Sequence, residues 1–162
     1  MVYRQFDYLK QQGHYIIGYV IMPNHLHALI AFSNSGKTIN SIVGNMKRFM
    51  AYEIVSGLKQ KDEKDLLGVL ASGVSSQEKK RGKLHVVFER SFDSKACRSH
   101  EFINQKLNYM HINPCKGVWN LANSPAEYTH SSAKFYITGE QGVYQVMNYL
   151  ELEDINLTEI QK

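Results

Sequence analysis

Apolar residues in the opening segment fall at Val2, Phe6 and Leu9, a spacing of four and three that gathers them on one helical face. Gly13 supplies a stop. The period then shortens. Tyr15–Met22 reads YIIGYVIM and His25–Phe32 reads HLHALIAF, both rich in β-branched and aromatic residues that favour strands. Pro23-Asn24 between them is a turn dipeptide, so the two strands are expected to form an antiparallel hairpin. From about Thr38 the positions Ile39, Ile42, Val43, Met46, Phe49 and Met50 return to helical spacing. This predicts a helix to about Val55, closed by Ser56-Gly57. Lys59–Lys83 is dense in charge, with Gly, Ser and a short LLGVL patch, and reads as a mobile insertion or long loop. Leu84–Phe88 reads as a third strand, continued irregularly towards Cys97. Ser99 is a plausible N-cap for a helix over His100–Ile112, with Phe102, Ile103, Leu107 and Met110 as its buried stripe. Pro114 ends it, because the residue before a proline avoids the helical region. Beyond Trp119 short helices are expected around Ser132–Tyr136 and Tyr144–Leu150.

A chain of 162 residues suits one domain. The expectation is a single domain over 1–150 with a charged insertion at about 59–83, then a tail over 151–162. Hydrophobic residues make up 43% and charged residues 21%, a balance that folds. No apolar run approaches the roughly 18 residues of a membrane span. The start, MVYRQFDYLKQQGHY, has no apolar stretch of the signal-peptide kind. Two cysteines, Cys97 and Cys115, without zinc spacing fit a cytoplasmic protein with incidental thiols. The net charge of +4 permits a nucleic-acid partner without requiring one.

Two short pieces carry candidate chemistry. In His25-Leu26-His27 the imidazoles at i and i+2 share one strand face, and two neighbouring imidazoles can hold a divalent metal. Two half-exposed histidines after a turn is the plainer reading. In Tyr109-Met110-His111-Ile112-Asn113-Pro114, Tyr109 and Asn113 share a helix face. Tyr109 is about 100° from Met110 around the helix, at the border of core and surface. Asn113 offers an amide oxygen. His111 points about 200° away from Tyr109 and reads as structural, as do His14, His85, His100 and His130.

YVIMPNHLHALI followed by KLNYMHINPCKG resembles the single-tyrosine HUH transposase family, most closely the REP-associated tyrosine transposases and insertion-sequence relatives. SFDSKA and YTHSSAKFY are similar to that family's flanking segments, and the resemblance covers roughly residues 15–140. It implies a metal-dependent enzyme that cleaves and rejoins single-stranded DNA through a covalent 5′-phosphotyrosine. His25 and His27 match the metal-binding histidines, Tyr109 the nucleophile and Asn113 the third metal ligand. The implied fold is α+β, a ferredoxin-like sandwich with an antiparallel sheet and helices on one face. The family's usual first strand is missing here, since the histidine pair stands at 25 and 27 rather than well past 50. That gap is expected to be filled by another segment, from the C-terminal tail or from a partner in a homodimer.

Chemistry is compatible with those roles. A phenol is a poor nucleophile near neutral pH, and bound Mg²⁺ or Mn²⁺ can polarise a phosphate. Two nitrogens and one amide oxygen suit Mn²⁺ somewhat better than Mg²⁺. Lys47 and Arg48 on the long helix, and the basic run Lys79, Lys80, Arg81 and Lys83, are candidates for phosphate contacts along single-stranded or hairpin DNA. Trp119, Tyr128, Phe135 and Tyr136 read mainly as core, with base stacking as the alternative. Two rival readings stay open: a catalytically inactive relative that only binds DNA hairpins, and a phosphodiesterase that uses water with Tyr109 merely structural.

Overall fold

The computed structural model describes residues 1–158. Its elements run α1 (Val2–Gln11), β1 (Tyr15–Ile21), β2 (Leu26–Ala31), α2 (Ile39–Gln60), α3 (Lys64–Ser72), α4 (Ser76–Lys80), α5 (His100–Ile112) and α6 (Ala133–Thr138), with short 3₁₀ turns at Asn113–Cys115, Pro125–Glu127 and Tyr149–Asp154. The fold is mixed α+β with a two-stranded antiparallel sheet. Two compact units are formed: Met1–Gln5 with Lys37–Ser94, and Phe6–Gly36 with Lys95–Lys162. No helix among the described residues is long and apolar enough to cross a membrane.

In the second unit β1 and β2 pair from Tyr15↔Ala31 to Ile21↔Leu26, with an irregularity between Ile16 and Gly18. Alternate residues of β1 point to opposite faces, and both faces are covered. Phe6 of α1 meets Tyr19 with ring centroids 5.6 Å apart. On the other face Val20 and Met22 pack with Leu107 and Met110 of α5, and Leu29 and Ile103 join them. The expected placement of helices on one face is therefore corrected. A hairpin this narrow has two apolar faces to bury, and one helix covers only one of them.

β1 would be left with a bare edge away from β2. The C-terminal segment takes that edge. The Ile21 N–H donates to His130 O (2.9 Å), Ser132 N–H to Tyr19 O (3.0 Å) and Met147 N–H to Ile16 O (3.0 Å). Tyr19 N–H donates to Ser132 Oγ (2.9 Å), and Tyr128 Oη and Tyr136 Oη donate to the carbonyls of Ile21 and Ile17. Among the described residues the regular pairing of this segment is a single bridge, Val20↔Ser131. Main-chain groups of a buried strand must find partners, and here loop backbone, serine and tyrosine supply them.

Local signals set most boundaries. Gly13 follows α1 with φ 79°. Ser99 caps α5, its Oγ accepting from Phe102 N–H. α6 lies where a short helix is expected, and Gly139 closes it at φ 79°. Four expectations are corrected. α2 runs on through Gly57 to Gln60. One helical glycine costs only about 1 kcal/mol, and the half-buried Leu58 beyond it favours a further turn. The segment 59–83 is no loop: it holds the end of α2, then α3 and α4, the latter fixed by a reciprocal Ser75–Glu78 capping box. Its charges are the wet faces of short helices. Leu84–Phe88 is not a strand; Val86 N–H donates to Leu70 O of α3 (2.8 Å), so this backbone is spent on a helix end. Tyr144–Leu150 is not a helix either. Asn148 caps the 3₁₀ turn that follows it, while Val146 is held by the Gln141 side chain. Within the 151–162 tail, Glu153 meets His100 at 3.1 Å; residues 159–162 lie outside the described residues.

Candidate active site

The hairpin turn is closed by Met22 N–H donating to His25 O (2.8 Å). β2 begins immediately after at Leu26, so His25 is the residue before the strand and His27 its second position. Their ring centroids are 4.9 Å apart at 80°. Two imidazoles bound to one ion through bonds of about 2.1 Å have centroids roughly 4.6 Å apart at 90° and 5.3 Å apart at 109°, and the observed spacing lies between. His25 is exposed and its Nδ1 lies 2.6 Å from Asn24 Oδ1. An amide oxygen only accepts, so Nδ1 donates this bond and Nε2 is the nitrogen left for a ligand. His27 is half-buried opposite Val20. Burial, and then the neighbouring His25, push its pKa below 6.5, which keeps it in the neutral form that binds metal.

Tyr109 reaches the pair because α5 sits close on β1. The close approach depends on Gly18, where a Cβ would overlap Leu107 Cδ2. Leu107 and Met110 are buried beneath the helix, each worth about 1.5–3 kcal/mol. Tyr109 is turned one step from Met110. It is 61% exposed, with its ring centroid 6.0 Å from that of His27 at 76°. The reverse side of α5 is pinned by His111, buried, with Nε2 2.8 Å from Ser132 Oγ. Rotation of α5 is thus opposed, which keeps Tyr109 on the side of the helix that meets His27.

Asn113 extends α5 with helical dihedrals, its N–H bonded to Met110 O, and so stays on the Tyr109 face. Its side-chain Nδ2 is buried without a hydrogen-bond partner. A flip of the amide puts the oxygen at that position. The adjacent His25 and His27 rings are donors a divalent ion takes, and Asn113 adds an orphaned amide end on the Tyr109 face of α5. The residues present therefore fit a metal. No cluster of three or more His, Cys, Asp and Glu occurs among the described residues; this set draws only two of its members from those types.

The predicted basic positions lie in the first unit. Lys47, Arg48, Arg81 and Lys83 line one cleft there. Lys47 Nζ donates to the carbonyls of Glu89 and Ser91, and Lys83 pairs with Glu78 at 2.8 Å. Lys79 and Lys80 do not line the cleft; they end α4 as exposed cations. Tyr128 and Tyr136 are committed to the β1 edge. Cys97 and Cys115 are free thiols.

Two neighbours of the site were not singled out from the sequence. Asn24 read only as a turn residue, although its position directly before His25 is the available signal. Lys106 sits one turn before Tyr109, its Nζ 6.0 Å from that ring's centroid and 4.9 Å from the Phe102 ring, and its i−3 spacing was visible. Comparison with known proteins returned no matching family model, curated protein or solved structure.

Proposed function

We propose that the chain is a metal-dependent, single-tyrosine enzyme that cleaves and rejoins single-stranded DNA, with Tyr109 as nucleophile and His25, His27 and Asn113 as the metal-binding set. The observation that carries this reading is the 6.0 Å approach of the Tyr109 ring to His27 within one chain, next to a second imidazole 4.9 Å further on. The hairpin and α5 are read as the catalytic part of a ferredoxin-like sandwich, with the C-terminal segment bonded along the edge of β1 away from β2.

A bound Mg²⁺ or Mn²⁺ would supply charge to polarise the scissile phosphate. The chain's own residues do the rest. His27 is held toward its neutral form by burial, and the pair holds the site's geometry, His25 through Asn24. Tyr109, open to solvent, gives up its proton to water and attacks phosphorus. The Tyr109 Oη–P bond forms as the P–O3′ bond breaks, and the departing 3′ oxygen takes up a proton. The product is a 5′-phosphotyrosine and a free 3′ hydroxyl. A second 3′ hydroxyl reverses the step, so joining needs no nucleotide cofactor. Lys106 places a cation beside the phenol, where negative charge gathers on the phosphate oxygens.

The test uses a 5′- and 3′-labelled single-stranded hairpin substrate with Mn²⁺ or Mg²⁺. Wild type forms a protein–DNA adduct that survives denaturation, and Tyr109→Phe forms none. The double variant His25→Ala/His27→Ala loses cleavage while keeping its circular dichroism spectrum. Equal adduct yield from wild type and Tyr109→Phe sinks the assignment. Cleaved ends without any protein-linked species point instead to attack by water.

A further inference from the structure

We propose that the helical unit, Met1–Gln5 with Lys37–Ser94, carries a second nucleic-acid site: a basic groove that seats the backbone of a single DNA strand without help from the metal or Tyr109. The groove is a cleft of about 1100 Å³ whose lining residues all belong to that unit. One wall is α2 and the other is the irregular segment from Arg81 to Phe92. Lys47 ties the walls together through the Glu89 and Ser91 carbonyls.

Charge on the two walls is predominantly positive. Lys47, Arg48 and Lys59 come from α2, and Arg81, Lys83 and Arg90 from the facing segment. The lining includes one acidic residue, Glu89. Glu78 partly offsets Lys83 and Arg90, at 2.8 and 3.2 Å. Arg48, Lys59 and Arg81 have no ion-pair partner among the described residues. Twelve helical residues separate Lys47 from Lys59, a rise of about 18 Å, long enough to follow several successive phosphates. Unpaired cations along both walls of a cleft repel one another, and a polyanion laid between them relieves that.

Aromatic groups distinguish a nucleic-acid strand from other polyanions. Tyr52, one turn beyond Arg48, lines the cleft and is 64% exposed. Phe49, 44% exposed, meets Tyr52 edge-to-face at 6.4 Å, and the Arg48 guanidinium lies 5.1 Å from its ring centroid. An exposed ring beside free arginine is a stacking platform for an unpaired base. A duplex hides its base faces and a lipid headgroup has none. The choice of DNA over RNA rests on the reading proposed above; the groove itself does not.

The experiment uses full-length Tyr109→Phe in EDTA, so neither the metal nor covalent chemistry contributes. Fluorescence anisotropy follows binding of labelled oligothymidine across a sodium chloride series. Single strands give a slope of roughly −0.7 per neutralised phosphate. The triple variant Arg48→Ala/Lys59→Ala/Arg81→Ala should therefore flatten the log–log slope by about 2. Tyr52→Ala should weaken binding about 10-fold with the slope unchanged. Lys79→Ala/Lys80→Ala, outside the groove, should leave the slope unchanged. If the triple variant does not fold, each single replacement should flatten the slope by about 0.7. An unchanged slope in the groove variants, equal losses from the Lys79/Lys80 pair, or equal affinity for duplex or heparin overturns the proposal. No binding of the oligothymidine by Tyr109→Phe in EDTA, with wild-type adduct formation intact, sinks the groove alone. Absence of adduct with groove binding retained sinks the Tyr109 chemistry alone.

Discussion

At the scale of single residues, the hydrogen bond from His25 to Asn24 has the most consequence for its size. It holds the ring by Nδ1 at 2.6 Å and so selects the nitrogen left for a ligand. Outer partners of ligating histidines commonly change metal affinity 10- to 100-fold when removed. Asn24→Ala should weaken Mn²⁺ binding by about 10-fold, measured by the loss of free Mn²⁺ signal in electron paramagnetic resonance without DNA. Asn24→Asp should retain or strengthen it, because the carboxylate accepts the same bond. Equal Mn²⁺ affinity in wild type and Asn24→Ala would show that the bond does not orient the ring. Metal binding should also weaken as pH falls, since each ligating imidazole must give up its proton.

At the scale of elements, the decisive contact is α5 against β1. Gly18 leaves no Cβ where Leu107 lies, and Leu107 is 2% exposed with nowhere to retreat. Gly18→Ala should cost about 1–3 kcal/mol through overpacking, seen as a lower urea midpoint. It should also depress adduct formation in fully folded protein, because lifting α5 moves Tyr109 away from His27. Unchanged stability together with unchanged adduct yield would mean the helix does not depend on that approach. The elements themselves were legible in part. The hairpin, α1 and α5 announce themselves through period and caps. α3 and α4 did not, because charge density over 59–83 resembles a loop, and α4 (SQEKK) has no apolar side to show a helical period and is fixed by its Ser75–Glu78 cap instead. Leu84–Phe88 failed in the opposite sense. Its β-branched residues suit a strand, but a strand exists only with a partner, and Val86 donates to a helix carbonyl instead.

At the scale of the whole molecule, folding stability should depend on pH through His111. Burial holds its pKa at about 4 instead of 6.5, between Ser132 and the Tyr136 ring. The unfolded chain therefore binds more protons than the folded one between those values, and stability rises with pH there. Stability is full above pH 6.5 and drains as pH falls through about 4, by on the order of 3 kcal/mol. Urea midpoints from pH 7 to pH 4 measure this, and His111→Gln should flatten the trend. Equal trends in both proteins would assign acid sensitivity to other groups.

The sequence by itself determined what local physics controls: helical and strand periods, the turn at Pro23-Asn24, the cap at Ser99, and the chemical types of His25, His27, Tyr109 and Asn113. Each depends on residues a few positions apart. Tertiary structure alone decided which loop seals β1, that Lys47 and Arg48 share a cleft with Arg81 and Lys83 while Lys79 and Lys80 do not, and that the phenol stands beside the imidazoles. Those outcomes join positions tens of residues apart. They turn on packing volume and on where each buried backbone group finds its partner, and neither quantity exists until the chain has closed on itself.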